Sequence, residues 1–190
     1  MIRPMTYDEL REIYENHMMN DFPDDERKPL KMIMSRYKKK QNFCLLYLEE
    51  NEIKAYSILE FANRSLLMDY FAVLPQFRNQ GTGTRFLQEM KQYFNEYEAL
   101  FIESESAYDE VSQKRLDFYK NAGAFFSGIQ VHLYHVDYEV MVLPLKRDVM
   151  VDEVQVMLNE IYTNIYPEAF RMMFLKWKLR ECDKVVKKSI

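Results

Sequence analysis

Apolar residues recur along this chain with two periods, and the switches between them divide it into elements. Over residues 6–19, Leu10, Ile13, Tyr14 and Met18 fall on one helical face, and Thr6 with Glu9 forms a capping box ahead of them, so a helix is predicted. The acidic, proline-interrupted stretch "NDFPDDERKP" (20–29) reads as a loop. A second helix follows, with Pro29 in its first turn and Leu30, Ile33, Met34 and Tyr37 on one side. "NFCLLYL" (42–48) and "IKAYSILEFA" (53–62) are strands joined by the polar turn "EENE", and "NRS" (63–65) leads into a third strand, "LLMDYFAV" (66–73). Helical spacing returns at Phe86, Leu87, Met90, Tyr93 and Phe94; "ALFIES" (99–104) is a short buried strand; residues 109–121 form a helix that ends at "NAG". "FFSGIQVHLYHV" and "YEVMVLPL" read as a final strand pair. Past Pro144, residues 149–165 and 167–180 are expected to be two amphipathic helices, closed by the basic tail "DKVVKKSI". This order predicts a mixed sheet covered by helices, α/β or α+β in class. Residues 1–145 would form the main domain, and 146–190 a helical extension packed on it or lying at a dimer contact.

Composition narrows the function. The chain has 190 residues, 48% hydrophobic and 29% charged, enough for one core and short for two full domains. A net charge of −4 lacks the basic footprint of a nucleic-acid binder. The longest apolar stretches, such as "IYTNIYPEAFRMMFL", are broken by polar residues and Pro167, so no membrane span is expected; "MIRPMTYDEL" has no apolar leader segment. Two cysteines, Cys44 and Cys182, cannot build a disulfide framework, and a cytoplasmic location is expected. His132 and His135 tempt a metal reading, but three residues apart on a strand they point to opposite faces, and no set with zinc spacing accompanies them. No metal is expected.

The stretch that carries chemistry is "FRNQGTG" (77–83), where two of the chain's four glycines stand between a strand and a helix. The first amides of a helix lack intrahelical partners, and the helix dipole adds partial positive charge there, so the turn can bind an anion. A nucleotide P-loop needs Gly-Lys-Ser/Thr, and Gly83 is followed by Thr84 and Arg85. A dinucleotide fingerprint needs glycine where Phe86 stands, although Glu103 lies near the usual ribose-binding offset. A tight turn with no ligand is the plain alternative.

Arg78-Asn79-Gln80-Gly81-Thr82-Gly83 resembles the Arg/Gln-x-x-Gly-x-Gly/Ala loop of the GNAT superfamily of acyl-CoA-dependent N-acetyltransferases, and "AVLPQF" before it is similar to that family's strand end. Some forty residues on, "LDFYKNAGAF" (116–125) resembles the second family signature. The order of elements from 6 to 145 also matches, implying a mixed, mostly antiparallel sheet flanked by helices; residues 146–190 fall outside the resemblance. It implies acetyl-CoA as cosubstrate, with Arg78, Asn79, Gln80, Gly81, Thr82, Gly83 and Thr84 around the pyrophosphate. It also implies that the backbone of Phe71, Ala72 and Val73 pairs with the pantetheine arm. Ser112 stands where members often carry an asparagine that reaches the cofactor, and Arg115 where they often carry alanine.

Acyl transfer to an amine sets its own demands. A lysine-like amine has a pKa of about 10.4, so deprotonating it at pH 7 costs roughly 4.6 kcal/mol, which a nearby carboxylate can meet as general base. Asp69 and Glu103 are the two candidates, and either could equally be a solvent-facing carboxylate. Tyr119 matches the family tyrosine and is the candidate acid for the leaving thiolate; without that match, a packing role for Phe118-Tyr119 would be preferred. A backbone amide in 71–73 would stabilise the oxyanion. Asp21, Asp24, Asp25 and Glu26 would draw a cationic amine, with Phe22 covering its stem, unless the loop is simply solvated. The leading expectation is an N-acetyltransferase acting on a primary amine, small or peptidic, in a chain able to form a homodimer. A non-catalytic acyl-CoA-binding module and a dinucleotide-dependent oxidoreductase are the alternatives.

Overall fold

The computed structural model describes residues 1–24, 26–133 and 136–179. The chain begins with a short strand, β1 (Ile2–Pro4), which the hydropathy pattern did not reveal, and enters α1 (Tyr7–Ile13) through the expected Thr6/Glu9 capping box. That helix widens into a π-helical turn at Tyr14–Met18 and closes with a single α turn, α2 (Met19–Asp21). After the loop come α3 (Leu30–Lys38), β2 (Asn42–Glu49), β3 (Glu52–Ala62) and β4 (Ser65–Val73). The β2–β3 turn holds Glu50 and Asn51 at φ of 52° and 64°, the mirror-image turn whose twist suits a hairpin. Then follow α4 (Thr82–Tyr93), β5 (Ala99–Glu105), α5 (Glu110–Asn121), β6 (Phe125–Leu133) and β7 (Val136–Pro144).

Past residue 145, α6 (Val151–Ile165) lies where the periodicity puts it. The expected helix over 167–180 does not run that far. It ends as α7 (Glu168–Phe174), and Lys176–Leu179 becomes β8, antiparallel to β6. Its sequence "KWKL" alternates charged and apolar residues, a period of two that ends the helical pattern. His135 and Cys182 lie outside the described residues.

All strands join one eight-stranded sheet in the order β1-β2-β3-β4-β5-β7-β6-β8. Every pairing is antiparallel except β4 with β5. Side chains alternate between two covered faces. One face packs α4 and α5 through residues such as Phe86, Leu87, Met90 and Leu116. The other packs α1 and α3 over its first half (Leu10, Ile13, Ile33) and α6 over its second (Val154, Leu158, Ile161).

Two local features of β4 open the centre of this sheet. Its register against β3 slips between Ile58↔Tyr70 and Leu59↔Met68, so Asp69 is the extra residue of a β-bulge. Its parallel pairing with β5 stops at Met68↔Ile102, although β4 runs on to Val73 and β5 to Glu105. The strands diverge from there.

Candidate active site

The divergence opens a cavity of about 860 Å³, within the usual range for a small-molecule site. One end is the glycine turn. Gly81 takes φ of +74° and caps α4 without any side-chain hydrogen bond, so the first amides of that helix have no cap from the protein. A Cβ on Gly83 would stand 3.4 Å from Val73 and 3.5 Å from Phe118, filling the space beside the β4 end. Asn79 also takes a left-handed conformation, with φ of 60°. Asn79, Gly81, Thr82, Gly83 and Thr84 all line the cavity, as do Phe71, Ala72 and Val73. This combination, a bare helix N-terminus beside an unpaired run of strand, suits a diphosphate joined to an extended amide-bearing arm.

Two expected cofactor contacts are turned elsewhere. The side-chain amide of Gln80 donates to the Gln76 carbonyl at 2.9 Å. Ser112 is buried in the capping box of α5: its amide donates to Asp109 Oδ1 at 2.7 Å, and its Oγ accepts from the Asp109 amide at 3.0 Å. Neither lines the cavity. Arg78 does, but its guanidinium is engaged, donating from Nε to the Val73 carbonyl at 2.9 Å and from Nη2 to Asp21 at 2.6 Å.

Tyr119, Asp69 and Glu103 all line the cavity. Tyr119 belongs to the α4/α5 face; it is 7% exposed, its hydroxyl lies 3.8 Å from Met68 Sδ, and burial pushes its phenol up to about 12. Glu103 follows Phe101 by two on β5 and so belongs to the opposite face, beneath α6. Burial, aided by the Asp69 carboxylate and opposed by the Lys28 ammonium, pushes Glu103 up to about 7. Its Oε1 accepts a hydrogen bond from the Tyr162 hydroxyl.

Asp69 has a different setting. The bulge turns Asp69 and Tyr70 toward the same face, and both meet Lys28. Lys28 Nζ donates to both Asp69 oxygens at 2.8 Å, and the Tyr70 hydroxyl accepts from the Lys28 amide at 2.7 Å. Lys28 also stands 4.0 Å from Glu60, which pairs with Arg36 at 2.7 Å, giving a buried chain of alternating charge. Burial alone would lower the ammonium pKa; the carboxylates of Asp69 and Glu60 outweigh it and hold Lys28 above its ordinary value.

The loop over residues 20–29 is less acidic in space than in sequence. Asp21 is taken by Arg78 and by the Tyr56 hydroxyl, and Asp24, 93% exposed, pairs with Arg27. Asp25 lies outside the described residues. Phe22 and Glu26 line the cavity, but so do Arg27 and Lys28. Phe22 packs edge-on against Tyr70 at 5.0 Å, and Tyr166, the residue that ends α6, completes an aromatic wall.

Lys28, Tyr162 and Tyr166 escaped the sequence reading. Lys28 sits in a stretch dominated by acids, and the tyrosines fall on the apolar stripe of a helix with no motif. Among the described residues, no group of three or more His, Cys, Asp or Glu could hold a metal ion, and no helix is long and apolar enough to cross a membrane. His132 instead meets Asp137 at 2.7 Å.

The fold is a mixed, mostly antiparallel sheet flanked by helices, with its cavity where the central strands part. The model of the acetyltransferase (GNAT) family matches residues 5–124, and the chain belongs to that family. It is an acetyltransferase-class enzyme in a family that uses acetyl-CoA. No curated protein matches the sequence. Solved structures share the fold at low identity. A GNAT-family protein from Bacteroides thetaiotaomicron superposes with a TM-score of 0.69 at 16% identity, covering 87% of this chain and 98% of its own. The ribosomal-protein-S18-alanine N-acetyltransferase from Escherichia coli gives 0.62 at 16% identity, covering 78% and 96%. The spermidine N-acetyltransferase from Vibrio cholerae, in complex with CoA and spermine, gives 0.58 at 12%, covering 76% and 95%. Family membership sets aside the dinucleotide reading. Phe86, which replaces the required third glycine, is fully buried and stacks between Tyr47 at 5.0 Å and Phe71 at 5.1 Å.

Proposed function

We propose that the protein transfers the acetyl group of acetyl-CoA to a primary amine by direct attack, with Glu103 as general base and Tyr119 as general acid. The observation that carries this is their placement: two groups of raised pKa, Tyr119 buried and Glu103 partly so, on opposite faces of the sheet and both lining the cavity where β4 and β5 part. The diphosphate would rest on the amides of residues 81–84, and the pantetheine arm would lie along Phe71–Val73. The amine nitrogen forms its bond to the thioester carbonyl carbon while the carbon–sulfur bond breaks. The amine proton passes to Glu103, and the departing thiolate takes the phenol proton of Tyr119. A carboxyl near 7 suits the base, because it is half ionised at neutral pH and is a stronger acceptor than an ordinary carboxylate. Asp69, clasped by Lys28 through both oxygens, serves instead to fix the electrostatics around Glu103.

For the acceptor, the paired acids and the aromatic wall favour an amine with a single charge on an apolar or aromatic stem. A polycation would meet Lys28 and Arg27 at the cavity wall, where Asp21, Asp24 and Asp69 are already paired with cations of the protein. A screen of monoamines and polyamines with acetyl-CoA, reading thiol release, tests both parts. Turnover of a monoamine that falls at least tenfold in Tyr119→Phe, with coenzyme A still bound, is the expected result. Binding without turnover of any amine would favour the non-catalytic module, and a polyamine as best substrate would overturn the acceptor class.

A further inference from the structure

We propose that Tyr162 is a positioning residue for Glu103, so that α6, beyond the family match, is part of the catalytic centre. This rests on the reading of Glu103 as the base. Tyr162 is fully buried in the cluster that α6 forms with the sheet, and its hydroxyl reaches the Glu103 carboxylate across 59 residues of sequence. A ring needed only for packing has no use for a hydroxyl, whose burial costs free energy unless it is hydrogen-bonded. Here the bond goes to the Glu103 carboxylate on the cavity wall, where the strands part.

The chain is fixed just past Tyr162. The Asn164 side chain donates to the Phe61 carbonyl at 2.6 Å, and the Asn164 carbonyl accepts from Arg36 at 3.2 Å, tying α6 to β3 and α3. One turn on, Tyr166 stacks on Tyr162 with centroids 6.2 Å apart and stands 5.4 Å below the Lys28 ammonium. The helix thus touches the base directly, and the residue that ends it flanks the cation that tempers it. The family match ends at residue 124, so Tyr162, Asn164 and Tyr166 reach into the matched segment from beyond it.

The physical consequence is a change in when the base is ready. A donor to the ionised carboxylate favours that form and opposes burial. Lys28, Asp69, Tyr119, Tyr138 and Tyr166 share the cavity wall with Glu103, and the first two act on its charge in opposite directions. None of these is altered by removing one hydroxyl from α6.

Tyr162→Phe keeps the ring and deletes the donor. The acid limb of the kcat/KM profile is expected to move up by about one pH unit, so the rate at pH 7 falls by about fivefold and recovers by pH 9, with KM for acetyl-CoA unchanged. Site-specific 3-fluorotyrosine at 162, a more acidic phenol of nearly the same shape, moves the limb the other way and covers the case in which the phenylalanine variant folds poorly. An acid limb that stays in place in the fluorotyrosine protein, or in a Tyr162→Phe protein that still binds coenzyme A, overturns the proposal. Glu103→Gln separates the two claims. Full activity in that variant removes Glu103 as base, whereas loss of the acid limb there combined with an unmoved limb at 162 removes only the role of Tyr162.

Discussion

Lys28 Nζ stands 2.8 Å from each carboxylate oxygen of Asp69, and both side chains are almost fully buried. The pair joins the loop over residues 20–29 to the bulge of β4. It therefore links the position of that loop to the strand expected to hold the cosubstrate. Removing one partner leaves the other charged and without compensation. Lys28→Met should lower stability by about 3–5 kcal/mol, measured by denaturant unfolding, while the double variant Lys28→Met/Asp69→Leu should recover much of that loss. Equal stability of the single variant and the wild type would contradict the buried pair.

The pH dependence of turnover follows from the two raised groups. Glu103 must be ionised to accept a proton, and its pKa is pushed up to about 7, so kcat/KM should rise with pH through that region and level off above it. Tyr119 must be protonated, and at about 12 it remains so across the neutral and mildly alkaline range. A profile on a monoamine substrate, corrected for the amine's own ionisation, should therefore show an acid limb near 7 and no loss by pH 9. An acid limb near 4, the range of an ordinary carboxylate, would exclude Glu103 in its buried state.

Ser112 tests where the second family signature departs from its pattern. Its hydroxyl accepts from the amides of Tyr108 and Asp109 at 3.1 Å and 3.0 Å, so it closes the end of α5. Ser112→Ala should cost about 1 kcal/mol of stability and leave KM for acetyl-CoA unchanged. A raised KM with unchanged stability would return this residue to the cofactor site.

Much of this architecture was legible because the chain alternates cleanly. The hairpins, the capping box at Thr6 and the glycine turn are local signals, and the structure keeps each of them. The strand pair over 125–144 and the helix at Val151–Ile165 follow from periodicity in the same way. What escaped the sequence is long-range. No pattern in "DERKP" says that Lys28 will be buried against a bulge 41 residues on, because a β-bulge is a slip of register between strands rather than a local composition. The same holds for Tyr162, which in sequence is one apolar position on an amphipathic helix. The acidic look of the loop misleads for a related reason: charge in sequence does not reveal which acids already have partners, and Asp21 and Asp24 both do. The strand at Lys176–Leu179 was within reach, since its alternation is visible once the helical reading is dropped.

The central claim is that the main chain around Gly81 holds the diphosphate of the acyl carrier, and calorimetric titration with coenzyme A measures this most directly. Gly81 has φ of +74°, and an added Cβ would stand 3.0 Å from an Arg85 nitrogen, so valine there should shift the turn and its amides. The account predicts one saturable site in the wild-type protein and at least tenfold weaker binding in a folded Gly81→Val variant. Absence of binding in the wild type, or equal affinity in the two proteins, would contradict it.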